Sequence, residues 1–174
     1  MAPDATVRGA PWLVLTGERA KAVLRGGAVL ETTARRVSAL GPDILAPRLD
    51  GDAIVANLRR GDERRTIGEA LLDQRAVAGI GNIWRSEALW HARTSPWRRL
   101  ADLHDAELHE VVREAARLMA ESRDGASPRR EVYRRRGQPC RRCGELLLSA
   151  KQGDAARTVY WCPACQAGEG LGKA

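Results

Sequence analysis

The spacing of the four cysteines restricts this chain more than any other feature of its sequence. Cys140 and Cys143 form one CxxC pair, and Cys162 and Cys165 form a second pair after an intervening segment of residues 144–161. Each pair lets two thiolates bind one ion, and a hairpin between the pairs brings all four thiolates into one tetrahedral site. A redox CxxC does not come doubled at this spacing, whereas an iron site of the same geometry is an alternative. The sequence therefore predicts one structural zinc in a small finger, and a reducing cytoplasm.

A second feature is the segment from Leu71 to Leu89, LLDQRAVAGIGNIWRSEAL, which reads as helix, tight turn and helix. Gly79 and Gly81 bracket Ile80, which marks backbone that needs positive φ or a close approach. Asn82 is a favoured N-cap residue. Ile80, Gly81 and Asn82 therefore offer backbone N–H groups at a helix N-terminus, where an anion such as a DNA phosphate can bind. An ordinary helical hairpin with glycines for packing is the alternative interpretation.

This segment closely resembles the helix–two-turns–helix segment of the formamidopyrimidine-DNA glycosylase / endonuclease VIII family of DNA repair enzymes. Further matches are LGPD at residues 40–43, VYRRRGQPC before the first cysteine pair, and ARTVYWCPACQ around the second pair. The resemblance implies that Asn82 contacts DNA phosphates. It also implies that Arg157, at the tip of the finger, reaches phosphates beside a flipped nucleotide. The family commonly has Gly where this chain has Ala156, and Tyr where it has Trp84.

Helix signals flank the Leu71–Leu89 segment on both sides. Asp50 or Asp52 can cap a helix that Gly61 ends, and Thr66 with Glu69 forms a capping box for the next helix. A longer helix is predicted from about residue 104 to residue 123, with an apolar face of Leu108, Val111, Val112, Ala115, Leu118 and Met119. The strands of the finger are predicted at residues 146–148 and 158–161.

The N-terminal region predicts short strands at residues 12–15, 20–24 and 28–33, after a disordered stretch at residues 1–10. By resemblance these are the last strands of the family's β-sandwich. The family uses an N-terminal Pro as nucleophile and the following Glu for acid/base work, whereas this chain starts Met-Ala-Pro-Asp, so Pro3 is internal. Nothing aligns Lys21 with the catalytic lysine of the family. The sequence is therefore interpreted as an N-terminally truncated member with no catalytic residue in this chain.

The expected fold class is thus mainly α with small β parts. We expect a β-sandwich remnant in residues 1–38, a helix–two-turns–helix DNA-binding domain in residues 39–126, a zinc finger in residues 127–168 and a disordered tail in residues 169–174.

The charge balance favours a polyanionic partner. The chain has 29 Lys plus Arg against 22 Asp plus Glu, a net charge of +7. A genome of high GC content, which raises the frequency of Arg and Ala throughout, is an alternative explanation of that excess. Residues 128–137 are strongly basic, which fits either a solvated connector or a patch facing the DNA backbone. The apolar runs are shorter than the roughly 20 residues of a membrane span, so no membrane partner is expected, and we expect a cytoplasmic, nucleoid-associated protein.

The resemblance implies damaged-DNA binding and base excision by a bifunctional DNA glycosylase / AP lyase. The partner is then double-stranded DNA with an oxidised base or an abasic site, bound by a monomer. Family members that remove 8-oxoguanine usually have a longer loop where this chain has residues 124–131, so oxidised pyrimidines are the expected substrates. One alternative is a non-enzymatic zinc-dependent DNA-binding module, which a separate N-terminal catalytic polypeptide would complete. Another is a structural nucleoprotein component, against which the finger argues.

Overall fold

The computed structural model describes residues 13–18, 20–24 and 38–166. The chain divides into two compact units, Met1–Arg35 and Arg36–Ala174. The predicted strand at residues 28–33, the stretch at residues 1–10 with Pro3, and the predicted tail lie outside the described residues. The boundaries predicted at residues 38, 126 and 168 remain predictions.

The described part of the first unit is a β-hairpin. Strand β1 (Leu13–Thr16) pairs antiparallel with β2 (Lys21–Leu24), and Leu13 lies opposite Leu24. The Gly17 N–H donates to the Ala20 carbonyl at 2.9 Å and closes the turn. Two of the predicted strands are therefore present, with the turn between them. Their assignment to a β-sandwich remains a prediction.

The second unit begins with helices whose ends follow the predicted caps. Helix α1 (Gly51–Arg59) starts after Asp50, whose Oδ1 accepts from the Ala53 N–H at 2.8 Å, so Asp50 rather than Asp52 is the cap. Helix α2 (Ile67–Ala70) carries the predicted capping box, in which the Thr66 N–H donates to Glu69 at 3.1 Å. Helices α3 (Asn82–His91) and α4 (Asp105–Arg123) follow, joined by a 3-10 turn at Leu100–Asp102.

One apolar cluster holds these helices together. Helix α4 packs against α1 and α3, and its predicted apolar face is buried throughout, at Leu108, Val111, Val112, Ala115, Leu118 and Met119. The buried side chains Ile54 and Leu58 of α1 join the same cluster. The helical periodicity of the sequence therefore identified this core correctly. No helix in the described residues is long and apolar enough to cross a membrane.

The turn before α3 differs from its prediction in two ways. Helix α2 ends at Ala70, so residues 71–80 form turns, and the N-cap of α3 is Gly81 rather than Asn82. The side chain of Gln74 explains the turns, because it accepts from the Gly79 N–H at 2.9 Å and donates to the Ile80 carbonyl at 3.0 Å. Gly79 has a φ of +101°, which favours glycine, whereas Gly81 is extended at a φ of −105°.

The interior of α3 buries polar side chains. Arg85, Ser86 and Glu87 are all buried. Ile83 and Trp84 of the same helix are only half-buried. Helix α3 lies between α4 and a strand of the finger, and this position gives its polar side chains buried partners.

The finger is a β-hairpin attached to the helices. Strand β3 (Leu148–Gln152) pairs antiparallel with β4 (Arg157–Trp161). The first strand was wrongly predicted at residues 146–148, because residues 145–147 instead close the first cysteine knuckle. In that closure the Cys140 N–H donates to the Glu145 carbonyl at 2.8 Å, and the Leu147 N–H donates to the Gln138 carbonyl at 3.0 Å.

Candidate nucleic-acid interface and metal centre

The four cysteines converge on one point of the finger. Their sulfur atoms all lie within 4.8 Å of one another, and the distances are 3.9 Å for Cys140 to Cys165 and 3.5 Å for Cys143 to Cys162. A tetrahedral zinc site with Zn–S bonds of about 2.3 Å separates its sulfurs by about 3.8 Å. The four predicted ligands therefore fit a metal ion, and their closed thiolate shell fits a structural zinc.

The pKa values of Cys162 and Cys140 are shifted in opposite directions. Burial, with a smaller contribution from the hydrogen bond to Cys143, raises the pKa of Cys162 to about 12. Burial also raises the pKa of Cys140, but backbone N–H groups at Arg142 and Cys143 outweigh it and bring this pKa to about 6. Thiolates held this close repel one another, so a bound cation is what allows all four to ionise.

The second cysteine knuckle is tied to the end of α3 by a residue that the sequence did not single out. Gln166 is buried, and its Oε1 accepts from the Cys162 N–H at 2.9 Å. Its Nε2 donates to the Thr94 carbonyl, also at 2.9 Å. A separate apolar cluster of Trp90, Val132, Cys140, Leu147 and Cys162 supports the same junction.

The basic connector is held by a buried carboxylate of α3. Glu87 is only 1% exposed, and it accepts from the N–H groups of Glu131 at 2.9 Å, Val132 at 3.2 Å and Tyr133 at 2.9 Å. Next to it, the guanidinium of Arg130 lies 4.4 Å from the centre of the Trp84 ring. The connector is therefore ordered by α3, and part of its positive charge packs on an aromatic side chain.

The four residues predicted to contact DNA line a single cleft. Ile80, Gly81, Asn82 and Arg157 surround an open cleft of about 400 Å³ between the turn before α3 and the tip of the finger. Gly81 is exposed, and a Cβ at this position would meet nothing within 4 Å. Within the described residues, the N–H groups of Ile80 and Gly81 have no hydrogen-bond partner. The cleft thus combines free backbone donors, the N-terminus of α3 and one arginine.

The side chain of Asn82 spans this cleft at its base. Its Nδ2 donates to the Thr158 carbonyl of the finger at 2.8 Å, and its Oδ1 accepts from Arg85. Arg85 is completely buried, and its Nη1 donates to the Gly68 carbonyl at 3.1 Å. Burial lowers the pKa of Arg85 to about 10; the charge of Glu69 partly opposes this shift, and the charge of Arg157 adds to it. No motif in the sequence marks Arg85, although its place three residues after Asn82 puts both side chains on one helix face.

The tip of the finger turns tightly just before Arg157. The Ala156 N–H donates to the Gly153 carbonyl at 2.8 Å. Ala156 has a φ of +47°, in the left-handed region that favours glycine. The tip therefore places alanine in a conformation that glycine adopts more easily.

Comparisons with known proteins agree with this architecture. A family model for the formamidopyrimidine-DNA glycosylase H2TH domain matches residues 40–129. The chain is 40% identical over 144 residues to the probable endonuclease 8 2 of Streptomyces coelicolor. The aligned region covers 77% of this chain and 52% of that protein.

Two solved structures are also similar. The MutM (Fpg) protein from Thermus thermophilus has a TM-score of 0.72 and 26% identity, covering 90% of this chain and 68% of that chain. The Lactococcus lactis Fpg in complex with DNA containing an abasic site has a TM-score of 0.66 and 26% identity, covering 77% of this chain and 54% of that chain.

The chain spans about half the length of several curated relatives that it matches. The H2TH match covers the turn before α3, and the cysteine cluster follows it in the order that the family resemblance predicts. The chain therefore belongs to the formamidopyrimidine-DNA glycosylase / endonuclease VIII family.

Proposed function

We propose that this chain binds damaged duplex DNA in base excision repair, as the DNA-gripping part of a DNA glycosylase with AP lyase activity. The observation that supports this most is the single cleft shared by Gly81, Asn82 and Arg157. A phosphate in this cleft would meet backbone N–H donors from one side and a guanidinium from the other. The similar Lactococcus lactis Fpg was solved as a complex with DNA that contains an abasic site.

In this proposed function the finger positions Arg157. Zinc bound by the four cysteines supplies a closed structural centre that holds the finger folded. The β3–β4 hairpin then carries Arg157 to the position opposite the N-terminus of α3. Arg157 and Gly81 contact successive oxygens of the backbone, which orients the duplex without reading its bases. The damaged nucleotide is flipped out beside this grip.

We further propose that oxidised pyrimidines are the preferred lesions and that the protein acts as a monomer near the nucleoid in the cytoplasm. The short loop at residues 124–131 supports this preference, as does the likeness to an endonuclease 8. Binding to duplexes with one thymine glycol or one 8-oxoguanine tests it. We expect tighter binding to thymine glycol, and equal affinities would contradict the preference.

The DNA-binding role is tested by titrating the zinc-loaded protein with a duplex over a series of salt concentrations. The slope of log K against log salt is about −0.9 for each phosphate contacted. We expect Asn82→Ala and Arg157→Ala each to cost roughly 1–3 kcal/mol, and each to reduce the slope by about one contact.

The matched control for the lost charge is Arg113→Ala, because Arg113 is an exposed residue of α4 that pairs with Glu110. It should bind DNA as the unaltered protein does. Affinities that stay unchanged in both cleft variants, with folding intact, would place the DNA surface elsewhere.

A second candidate is a non-enzymatic, zinc-dependent DNA-binding module that works with a separate catalytic polypeptide. It is favoured by the chemistry of the cleft, since none of the described residues that line it carries an amine or a carboxylate. Borohydride trapping on a duplex with one abasic site separates the two candidates. A covalent adduct in stoichiometric yield identifies a glycosylase / AP lyase, whereas tight binding without an adduct identifies the module.

A further inference from the structure

Arg85 is the largest completely buried charged side chain in the described structure, and its partners are unusual. Its guanidinium donates to oxygens on three segments of the chain. These are the Gly68 carbonyl at 3.1 Å, the Gln152 Oε1 at 3.3 Å and the Asn82 Oδ1. Its Nη2 also lies 3.5 Å from the Arg157 carbonyl, a distance too long for a strong hydrogen bond. Arg85 therefore lies where α2, α3 and the finger meet.

Within the described residues, no Asp or Glu forms an ion pair with Arg85. The carboxylate of Glu69 acts on it only through its charge, which raises the pKa of Arg85 but does not outweigh burial. The Nε of Arg85 is buried without a hydrogen-bond partner. A buried cation is costly unless it is paired, and neutral acceptors alone compensate it only in part. Arg85 contacts Asn82 and the Arg157 carbonyl, and both of these residues line the cleft, so a phosphate bound there would bring a negative charge close to Arg85.

Arg85 also fixes which way the Asn82 amide points. The guanidinium can only donate, so it must face the amide oxygen, and the Thr158 carbonyl can only accept, so it must face the amide nitrogen. A flipped amide would place donor against donor and acceptor against acceptor. One hydrogen of Nδ2 is used by Thr158, and the second remains available as a donor.

We propose that Arg85 is a positioning residue for DNA binding, which orients the Asn82 amide and whose buried charge is completed by a DNA phosphate in the cleft. This inference rests on the proposed DNA-binding function. The phosphate then has two cationic partners, one exposed and one buried. Arg157 lies at the surface, where it attracts the backbone, and Arg85 lies beneath the cleft, where low exposure to water weakens the screening of its charge.

The test is a double-mutant cycle on binding of the zinc-loaded protein to a duplex containing one tetrahydrofuran abasic-site analogue. The variants are Arg85→Met, Asn82→Ala and the double variant, with Arg113→Met as the control for loss of one arginine. Met fills a similar length without charge or donors. We expect Arg85→Met to weaken binding by roughly tenfold to a hundredfold, and the control to change it by less than about twofold.

The cycle separates positioning from a general structural role. If Arg85 orients Asn82, the loss caused by Asn82→Ala shrinks to less than about twofold once Arg85→Met is present. If Arg85 only stabilises the fold, the two losses multiply. The zinc content and circular dichroism of each variant show whether it is folded. Multiplied losses in folded variants would overturn the proposal, as would an Arg85→Met affinity equal to that of the control.

Arg85→Lys provides the second measurement, and it carries the test alone if Arg85→Met does not fold. Lys keeps the charge and loses the planar fork of donors. We expect it to preserve the salt slope of DNA binding while the affinity still falls and the effect of Asn82→Ala shrinks. A variant with full affinity and an undiminished Asn82→Ala effect would overturn the proposal. If instead Asn82→Ala and Arg157→Ala bind DNA as the unaltered protein does, the proposed function itself fails.

Discussion

The buried carboxylate of Glu87 gives the sharpest prediction about stability. Glu87→Gln keeps the shape of the side chain but replaces one oxygen with an NH2 group. The Oε1 atom accepts from two N–H groups, those of Val132 and Tyr133, and Oε2 accepts from the N–H of Glu131. The amide oxygen can replace Oε1 and retain two bonds. The amide nitrogen would then face the Glu131 N–H, so one hydrogen bond is lost.

The size of the effect follows from this count. A hydrogen bond to a charged group contributes about 1.5–3 kcal/mol, and a neutral one about 1 kcal/mol. At the lower end of these ranges, losing one charged bond costs about 1.5 kcal/mol and weakening two others costs about 0.5 kcal/mol each, which gives about 2.5 kcal/mol. An amide is easier to bury than a carboxylate, which offsets part of this loss. We therefore expect Glu87→Gln to lower the free energy of unfolding by about 2 kcal/mol.

Urea unfolding of the zinc-loaded protein, followed by tryptophan fluorescence, measures this difference. The control is Glu121→Gln, which removes an exposed carboxylate paired with Arg117 on α4. It should change stability by less than about 0.5 kcal/mol. A loss below about 1 kcal/mol for Glu87→Gln, or a loss equal to that of the control, would show that the carboxylate does not hold the connector.

Three further substitutions test other parts of the structure. Cys162→Ser should reduce bound zinc below that of the unaltered protein, because it opens the four-thiolate shell, and equal metal contents would refute the assignment. Ala156→Gly should stabilise the protein by about 0.5 kcal/mol, since relief of the left-handed backbone exceeds the entropy of the added glycine; a lower unfolding midpoint in urea would contradict this. Gly41→Ala should cost about 2 kcal/mol, because its Cβ would lie 2.5 Å from the Arg75 carbonyl oxygen. The control, Gly81→Ala, has open space around its Cβ, and equal unfolding energies for the two variants would refute the clash.

Local rules in the sequence predicted the framework of the second unit. Asp50 and the Thr66–Glu69 pair mark helix starts because capping depends only on residues a few positions apart. The spacing of Leu108, Val111 and Ala115 identified the buried face of α4 for the same reason. The doubled CxxC identified the four-cysteine cluster that could hold a metal ion, because the ligand geometry of such a motif permits few alternatives.

The contacts between the helices and the finger could not be read from the sequence in the same way. Arg85 and Glu87 are polar residues in a short helix, and local pattern rules place such residues at the surface. They are buried because their partners, Gln152 and the backbone of residues 131–133, come from distant parts of the chain. The cap of α3 was displaced from Asn82 to Gly81 for a related reason, since the finger engages the Asn82 amide.

Two separate apolar clusters lie within the described residues, and this separation has a consequence for local opening. The cluster of the helices and the cluster around Trp90 and Val132 share no residue. We therefore expect the finger to open as one cooperative segment while the helical core stays protected from solvent exchange. Such an opening would break the bond from Asn82 to Thr158 and remove Arg157 from the cleft. The affinity for DNA then depends on the fraction of molecules in which the finger is closed. A substitution that leaves the global free energy of unfolding unchanged can still abolish DNA binding.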